Sequence, residues 1–255
     1  MRKGILMAGG SGSRLLPLTR SINKHLLAVY DKPMIFYPLS TLKLAGIQDV
    51  LVIARPEDIE MYQNLLFDAA SFGLNLVFAE QEKPRGIADA FAIGQEFLSG
   101  DPCALILGDN LFFGKGFGQL LREVNRSAEH NFIFSIPSSN PRDYGVVELD
   151  SNGAIVSIEE KPTKPKSKEV ITGLYFFDSD VCELAKSIKP SARGELEITD
   201  LLLSYADKKA LSCVQLGRGF LWMDMGSHAN LLEAGFIVKT FQERLGVTIG
   251  DYRRG

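Results

Sequence analysis

Apolar runs alternate with amphipathic stretches through the first half of the chain, and this alternation constrains the fold more than any other feature of the sequence. Four runs that are mostly apolar and are bounded by turn residues predict strands over residues 4–8, 50–54, 75–79 and 103–107. Such strands, separated by helices, are typical of a parallel sheet covered by helices on both faces. We therefore expect an α/β fold with a mostly parallel central sheet.

The stretches between these strands have the spacing and the end signals of helices. In "YPLSTLKLAG", Pro38 lies in the first turn and Gly46 follows the last one, which is the asymmetry expected of a helix. The same periodicity predicts further helices over residues 58–69, 87–97, 180–187, 198–206 and 227–244.

The second half of the chain changes character. "YGVVELDSNGAIVSIEEKP" alternates apolar and polar residues, which predicts a hairpin with an Asn-Gly turn at Asn152 and Gly153. "EVITGLYFF", residues 169–177, is rich in β-branched and aromatic residues and predicts another strand. We expect one Rossmann-like α/β domain over residues 1–255, with a small antiparallel insert laid over the carboxyl edge of the sheet, above the active site.

Composition excludes several classes of protein. The net charge of −3 argues against a nucleic-acid partner, which normally requires a basic surface. The three cysteines are widely spaced and form no CxxC pair, so they indicate neither a zinc site nor a disulfide framework. No run approaches the roughly 18 apolar residues of a membrane span. We expect a soluble protein in the cytoplasm, with no membrane partner.

A glycine-rich segment follows the first predicted strand, in "LMAGGSGSRL". The third glycine of the dinucleotide-binding fingerprint is replaced by Leu15, and no P-loop ending in Gly-Lys-Ser/Thr is present. Small residues allow backbone N–H groups to approach an anion, and Arg14 adds a forked cationic donor. The segment taken alone is equally consistent with a plain strand-to-helix turn that carries a surface arginine.

Together with later blocks, this segment resembles the sugar-phosphate nucleotidylyltransferases. The family signature reads G-x-G-[ST]-R-L-x-P-x-T and is followed by K-x-L-L-P, which correspond here to "GSGSRLLPLT" and "KHLLA". Ala28 stands where the family usually has proline, and His25 where it often has glutamine. The other similar blocks follow in one order along the chain: "LAGIQDVLVI", "GIADAF", "LGDN", "YGVVE", "EEKP", "TGLYFFD", "ARGELEITD" and "WMDMGSH".

The resemblance implies attack by a sugar 1-phosphate on the α-phosphorus of a nucleoside triphosphate, with release of pyrophosphate. Within the family, the blocks are most similar to members that act on dTTP and α-D-glucose 1-phosphate. The resemblance also implies a nucleotide-binding part near residues 1–130, a sugar-binding part near 131–226 and a C-terminal helix at 227–244.

Two aspartates are candidate metal ligands. Asp109 directly follows the apolar run "CALIL", so we expect it at the carboxyl edge of the sheet, where ligands bind in such folds; its alternative is a turn-forming Asp. Asp224 lies among apolar residues in "LWMDMGSH", where a carboxylate is costly unless it is paired; its alternative is a helix N-cap. The resemblance implies that both hold one Mg²⁺, which suits carboxylates plus phosphates and water.

Three cations are candidate catalytic residues, and the resemblance implies that they neutralise phosphate charge: Arg14, Lys24 and Lys161. Without the family register, Lys24 would be an ordinary surface lysine.

The resemblance also assigns binding residues. It implies that the nucleotide contacts Ala8, Gly9, Gly10, Ser13, Gln81 and Gly86. It implies that the sugar phosphate contacts Tyr144, Gly145, Glu160, Lys161 and the backbone of Ile171. The glutamine amide matches the imide edge of a pyrimidine, whereas the glycine could simply begin a helix. Glu160 and Lys161 could equally form a surface ion pair. The "ARGELEITD" block is interpreted as structural, with Arg193 and Glu195 marking the start of a helix.

Alternatives to this reaction are the same chemistry with UTP, CTP or another sugar 1-phosphate, and a non-catalytic sensor of sugar nucleotides.

Apolar residues of the last helical segment predict a homo-oligomer: Leu231, Leu232, Phe236 and Ile237. Longer members of the family have further C-terminal helices that contribute to an allosteric site. Since this sequence ends at Gly255, we expect weak or absent inhibition by dTDP-rhamnose.

Overall fold

The computed structural model describes residues 2–253 of the chain. The strands in this part are β1 (Lys3–Met7), β2 (Ala28–Val29), β3 (Lys32–Pro33), β4 (Asp49–Ala54), β5 (Asn75–Glu80), β6 (Cys103–Leu107), β7 (Asn110–Gly114), β8 (Asn131–Pro137), β9 (Gly145–Leu149), β10 (Ile155–Glu160), β11 (Glu169–Phe177), β12 (Leu211–Gln215) and β13 (Phe220–Asp224). The α-helices are α1 (Phe36–Leu44), α2 (Ile59–Leu65), α3 (Asp89–Ile93), α4 (Gln95–Leu98), α5 (Phe117–Arg126), α6 (Val181–Ala185), α7 (Ile198–Asp207) and α8 (His228–Leu245).

The first half of the chain forms a parallel sheet, as its apolar runs predict. The strands lie side by side in the order β6-β1-β4-β5, and every neighbouring pair among them is parallel. Successive side chains of a strand point to opposite faces, so Ile5 packs in one apolar core and Leu6 in the other. Helices α1, α2 and α5 contribute to the core on the Leu6 side, and α3, α6 and α7 to the core on the Ile5 side. The predicted α/β class, with helices on both faces, is confirmed.

The antiparallel strands of the second half are hydrogen-bonded into this same sheet. Strand β11 pairs antiparallel with both β6 and β8, and the β9–β10 hairpin continues the sheet beyond β11. The hairpin is therefore an extension of the sheet and not a separate layer over it. Only the ends of its strands, Gly145 and Glu160, lie against the cavity described below.

The hairpin loop differs from the predicted Asn-Gly turn. It runs from Asp150 to Ala154, and the Asp150 side chain accepts hydrogen bonds from the backbone N–H groups of Asn152 and Ala154, at 2.8 and 2.9 Å. Gly153 has a φ of 81°, which a glycine adopts without strain. The longer loop arises because the aspartate carboxylate, and not a two-residue turn, satisfies the backbone donors.

Helix α8 begins where the sequence predicts, whereas the predicted helix over 87–97 does not form as one piece. The Ser227 hydroxyl caps α8 by accepting a hydrogen bond from the N–H of Asn230 at 3.2 Å. The 87–97 stretch divides at Gly94 into α3 and α4, and the predicted 58–69 and 180–187 helices are shorter in the structure. Within the described residues, no helix combines the length and apolarity needed to cross a membrane.

A two-stranded ribbon, β7 paired antiparallel with β13, lies outside the large sheet and positions the candidate site. Its register sets Asp224 opposite Asn110, the first residue after Asp109. The backbone N–H of Met225 donates to the Asp109 carbonyl at 2.9 Å and continues this pairing. Two aspartates that are distant in sequence therefore meet at the carboxyl end of β6.

Candidate active site

A cavity of about 630 Å³ opens at the carboxyl end of β6. Its lining includes many of the residues that the sequence predicts for the site: Arg14, Asp109, Tyr144, Gly145, Glu160, Lys161, Ile171 and Asp224. The other predicted residues lie outside this lining: Ala8, Gly9, Gly10, Ser13, Lys24, Gln81 and Gly86. The structure thus brings the predicted metal and sugar residues together in one cavity, with the predicted nucleotide residues beside it.

The two aspartates are neighbours, but the pKa of Asp109 is lowered and the pKa of Asp224 is raised. Burial alone would raise the pKa of Asp109, but the charge of Lys24 and the hydrogen bonds from Lys24 and Asn110 hold that pKa well below its usual range. Burial and the nearby charge of Asp109 raise the pKa of Asp224, against the opposing influence of Arg14 and Lys24. Mutual repulsion of this kind is what a shared cation would relieve.

Each aspartate has its own cationic partner. The Lys24 ammonium donates to Asp109 Oδ2 at 2.5 Å, and the two side chains are 14% and 9% exposed. Lys24 is therefore not the ordinary surface lysine that its residue type alone would suggest. The Arg14 Nη2 atom lies 3.4 Å from Asp224 Oδ2, but the arginine side chain is 62% exposed.

The glycine segment packs closely against two predicted site residues. A Cβ on Gly9 would lie 2.8 Å from Gln81 Oε1, and a Cβ on Gly10 would lie 3.1 Å from Lys24 Cε. Ala8 is buried and its N–H donates to the Ile53 carbonyl at 2.7 Å. Because Gly9 and Gly10 lack side chains, Gln81 and Lys24 can pack directly against the backbone of this segment.

Ser13 lies further along the glycine segment. It is exposed and begins a single 3₁₀ turn, Ser13–Leu15, which follows Gly12 in the left-handed region at a φ of 64°.

Gln81 and Gly86 are fixed by contacts within the protein. The Gln81 amide is buried and donates from Nε2 to Asp89 Oδ2 at 3.0 Å, which leaves Oε1 beside Gly9. Gly86 has a φ of 108°, and a Cβ there would lie 2.4 Å from the Leu196 carbonyl oxygen. Gly86 does not begin a helix, since α3 starts at Asp89; it is required by close contact with the backbone of another segment.

The predicted sugar residues line the same cavity. Lys161 has a φ of 43°, and its N–H donates to the Tyr144 carbonyl at 3.1 Å. Its ammonium lies 3.8 Å from Glu160 Oε1. Burial raises the pKa of Glu160, and Glu197 raises it further, whereas Lys161 and Arg193 lower it.

The prediction that Arg193 and Glu195 mark the start of a helix in "ARGELEITD" is wrong. Helix α7 begins at Ile198, later than Arg193 and Glu195, because the intervening residues form a turn that packs on Gly86. Three residues of the block line the cavity: Glu197, Ile198 and Thr199. The Arg193 guanidinium joins Glu197 Oε2, at 2.8 Å, to Glu160 Oε1, at 3.3 Å. The run of acidic residues after an arginine was the available signal for this network.

Sequence reasoning also missed the roles of Asn110 and Trp222, which line the cavity. Asn110 was visible only as the residue after Asp109.

His25 is buried beneath the site and does not line it; burial lowers the pKa of His25 to about 3, so the ring is neutral near pH 7.

A second cavity, of about 470 Å³, lies between α1, β7 and residues 247–251. None of the predicted site residues lines this cavity.

The parallel sheet, the glycine segment after β1 and the paired aspartates are features of a nucleotide-transferring enzyme. The sequence profile of the Nucleotidyl transferase family matches residues 3–240, and the chain belongs to this family. It is 51% identical to a glucose-1-phosphate thymidylyltransferase of Neisseria meningitidis over 240 residues, which are 94% of this chain and 83% of that protein. It is 46% identical to a glucose-1-phosphate thymidylyltransferase of Mycobacterium tuberculosis over 247 residues, which are 97% of this chain and 85% of that protein.

Solved structures have the same fold. A Bacillus anthracis protein assigned as a glucose-1-phosphate thymidylyltransferase, in complex with a sucrose, superposes with a TM-score of 0.88 at 34% identity and covers 100% of both chains. A UDP-glucose pyrophosphorylase complexed with UDP-glucose has a TM-score of 0.82 at 24% identity, covering 96% of this chain and 100% of that one. At 24% identity, the similarity to the UDP-glucose pyrophosphorylase shows only that the two chains have the same fold.

Proposed function

We propose that this chain transfers the thymidylyl group of dTTP to α-D-glucose 1-phosphate, forming dTDP-glucose and pyrophosphate. The observation that carries the proposal is the pair of aspartates, each with a cationic partner, in a cavity that is also lined by Tyr144, Glu160 and Lys161. The relatives named for this reaction, at 46–51% identity, support the choice of substrates.

The reaction requires two polyanions to approach each other. A phosphate oxygen of the sugar phosphate attacks the α-phosphorus of dTTP, the bond to the bridging oxygen breaks, and pyrophosphate leaves with the electron pair. Arg14, Lys24 and Lys161 offset the repulsion, and their contacts with the phosphates help to align the attacking and leaving oxygens. The site contains no arrangement that demands a covalent intermediate, so direct in-line displacement is the simplest course.

The aspartate pair fits a divalent cation. Asp109 and Asp224 are close enough for the charge of one to raise the pKa of the other. No group of three or more His, Cys, Asp or Glu side chains suited to a metal is found among residues 2–253. Two carboxylates suit Mg²⁺, which is commonly held by one or two carboxylates together with substrate phosphates and water. When bound, Mg²⁺ would supply positive charge to the phosphates beside Asp109 and Asp224.

The nucleotide is proposed to bind along the glycine segment. Gly9 and Gly10 have no side chain to separate their backbone from a ligand, and Ser13 adds an exposed hydroxyl further along. Gln81 Oε1 and the backbone at Gly86 would face the base, since the amide of Gln81 is already oriented by Asp89. An oxygen acceptor at this position suits the N3–H of thymine.

The sugar phosphate is proposed to bind in the same cavity, against Glu160 and Lys161. Glu160 would accept hydrogen bonds from sugar hydroxyls, and Gly145 and the Ile171 backbone would contact the ring. Lys161 would face the phosphate, which is consistent with its half-exposed side chain and its position at the cavity wall.

A pyrophosphate-release assay tests the proposal. The protein is incubated with Mg²⁺, glucose 1-phosphate and either dTTP, UTP or CTP, and each reaction is repeated without the sugar phosphate. We expect release that requires the sugar phosphate and is fastest with dTTP. Faster release with UTP or CTP, or with another sugar 1-phosphate, would reassign the substrate. No release with any pair would favour a sugar-nucleotide sensor, and binding of the sugar nucleotide without turnover would then identify it.

The homo-oligomer, the cytoplasmic location and the weak response to dTDP-rhamnose stay predictions. Leu232 and Phe236 are exposed on α8, at 77% and 69%, which supports the first of these. Size-exclusion chromatography with light scattering checks the oligomer, and the pyrophosphate assay with added dTDP-rhamnose checks the inhibition.

A further inference from the structure

The side chain of Asn110 joins three separate strands beneath the cavity. It is only 2% exposed, and it lies directly after Asp109 in the chain. Asn110 Nδ2 donates to Asp109 Oδ1 at 3.0 Å, and Asn110 Oδ1 accepts from the N–H of Gly173 at 2.9 Å and from Trp222 Nε1 at 2.6 Å. One amide therefore contacts the end of β6, the middle of β11 and the outer strand of the ribbon.

The orientation of this amide is fixed by its partners. The Gly173 N–H and the Trp222 Nε1–H can only donate, so they require an acceptor, and the amide oxygen must face them. The amide nitrogen then faces Asp109, whose carboxylate can only accept. Asp109 Oδ2 is engaged by Lys24, so each oxygen of the carboxylate has one donor and the plane of the carboxylate is set.

The packing of Gly173 and Trp222 depends on the side chain of Asn110. A Cβ on Gly173 would lie 2.6 Å from Asn110 Oδ1, so the strand approaches the amide as closely as a glycine permits. The indole of Trp222 packs edge-on against Tyr144, with ring centroids 5.1 Å apart, and both rings line the cavity. The position of this wall is thereby tied to the position of the Asp109 carboxylate.

We propose that Asn110 is a positioning residue that aims the Asp109 carboxylate at the reacting phosphates and holds Trp222 in the cavity wall. It acts through these two side chains. The proposal rests on the proposed function for the role of Asp109, whereas the contact with Trp222 can be tested without any substrate. If Asn110 served stability alone, replacing it would neither lower kcat in a folded variant nor change the surroundings of Trp222.

The Asn110→Asp variant tests the contact with Asp109 separately from the contact with Trp222. The variant keeps an acceptor for Gly173 and Trp222, but it replaces the donor to Asp109 by an oxygen that repels it. Asn131→Asp is the matched control, because Asn131 is 1% exposed and its amide likewise donates to a carboxylate, Asp178 Oδ2, at 2.8 Å. Asn131 lies at the end of β8 that pairs near Phe177, which is the end of the sheet away from the cavity.

Trp222 is the only tryptophan in the sequence, so its fluorescence reports the cavity wall directly. We expect Asn110→Asp to lower kcat by about 10- to 100-fold, the range expected for loss of a charge-assisted hydrogen bond, while the KM for glucose 1-phosphate and the Trp222 emission stay close to those of the parent. We expect Asn131→Asp to lower the melting temperature and to leave kcat unchanged. An unchanged kcat in Asn110→Asp, or an equal loss in Asn131→Asp, overturns the proposal.

A second variant gives a decision that does not depend on activity. Asn110→Ser is too short to reach all three partners, so we expect a shifted Trp222 emission and stronger quenching by acrylamide than in the parent. Unchanged emission and quenching in this variant would mean that Asn110 does not hold Trp222, which also overturns the proposal. If the parent releases no pyrophosphate with any substrate pair, the proposed function fails, but the fluorescence result stands independently. If Asn110→Asp does not fold, the Asn110→Ser measurement alone decides.

Discussion

The two aspartate–cation pairs of the candidate site use the same chemistry in different surroundings. Lys24 and Asp109 are both nearly buried and in close contact, whereas the pair of Arg14 and Asp224 has an arginine that is 62% exposed and a separation of 3.4 Å. The first pair holds the pKa of Asp109 below its usual range, and the second does not prevent the pKa of Asp224 from rising. A close, buried cation stabilises a carboxylate that a distant, solvated one cannot.

This difference suggests a division of roles. Asp109 is held ionised and oriented before any substrate arrives, by Lys24 and Asn110. Arg14 is free to leave Asp224 and to contact a phosphate, because its exposed guanidinium loses little by moving. The first pair is thus a fixed element of the site and the second an adjustable one.

The largest effect is expected at the fixed pair. Asp109→Asn removes the ionised carboxylate and leaves Lys24 without its partner, so we expect kcat to fall by at least about 100-fold, as for loss of a central electrostatic group. We expect Asp224→Asn to cause a smaller loss. Pyrophosphate release measures both, and circular dichroism confirms that each variant is folded. Near-normal turnover in a folded Asp109→Asn variant would refute the metal assignment.

Replacing the two cations tests whether burial distinguishes the pairs. Lys24→Met leaves the buried Asp109 unpaired, and we expect the free energy of unfolding to drop by about 3–5 kcal/mol. Arg14→Met removes only an exposed partner, and we expect a change below about 1 kcal/mol. Urea unfolding measures both, and both variants should lose turnover. Equal losses of stability in the two variants would contradict the distinction between a fixed and an adjustable pair.

The glycines beside the two cations give a finer comparison. A Cβ on Gly226 would lie 2.6 Å from Arg14 Nη2 and 2.8 Å from Asp224 Oδ1. The exposed arginine can move more readily than the largely buried carboxylate, so we expect Gly226→Ala mainly to displace the arginine and to raise the KM for the triphosphate several-fold, on the order of one weak ion pair. A Cβ on Gly10 would lie 3.1 Å from Lys24 Cε, in a more confined place. We expect Gly10→Ala to lower kcat as well as to raise KM. Steady-state kinetics at several triphosphate concentrations separate the two parameters; the same change in both variants would count against the comparison.

The smallest effect is expected at Glu160, a third carboxylate, faced by Lys161, Arg193 and Glu197. Its pKa lies above the ordinary value, so folding favours the protonated form. Its contribution to stability is therefore fully present at low pH and is lost as the pH rises through the raised pKa. Glu160→Gln resembles the protonated form, and we expect it to gain slightly in stability relative to the parent as the pH is raised from 4 to 7.

Thermal unfolding across this pH range measures the Glu160 effect. A relative gain of Glu160→Gln on acidification, and not on raising the pH, would reverse the sign of the expected effect.

The parallel half of the fold was predictable because each of its strands contains a mostly apolar run bounded by turn residues. Residues 103–107 were predicted as a strand and form β6 with those bounds, and the position of Asp109 at its carboxyl end followed. The antiparallel half was less predictable, since alternation indicates a hairpin but not the sheet that it joins. The contact of Gly86 with Leu196 could not be foreseen either, because nothing local requires two loops to meet.

In the candidate site, too, some residues could be predicted from the sequence and others could not. The glycine segment and the end of an apolar strand made Arg14 and Asp109 candidates, although each had a purely structural alternative. The network of Arg193 with Glu160 and Glu197 was missed, because residues that are spaced unsuitably for one helix face can still converge from a turn and a strand. The buried state of Lys24 was also invisible, since a lysine gives no sign in sequence of what covers it.

The sequence by itself determined the α/β class and the carboxyl-end position of Asp109, because burial on both faces demands continuous apolar strands and leaves polar residues only at their ends. Only the tertiary structure decided which cation each aspartate meets, how deeply each pair is buried and how one asparagine joins three strands. Those properties depend on distances between segments remote in sequence, and both Coulomb energies and hydrogen bonds vary steeply with such distances.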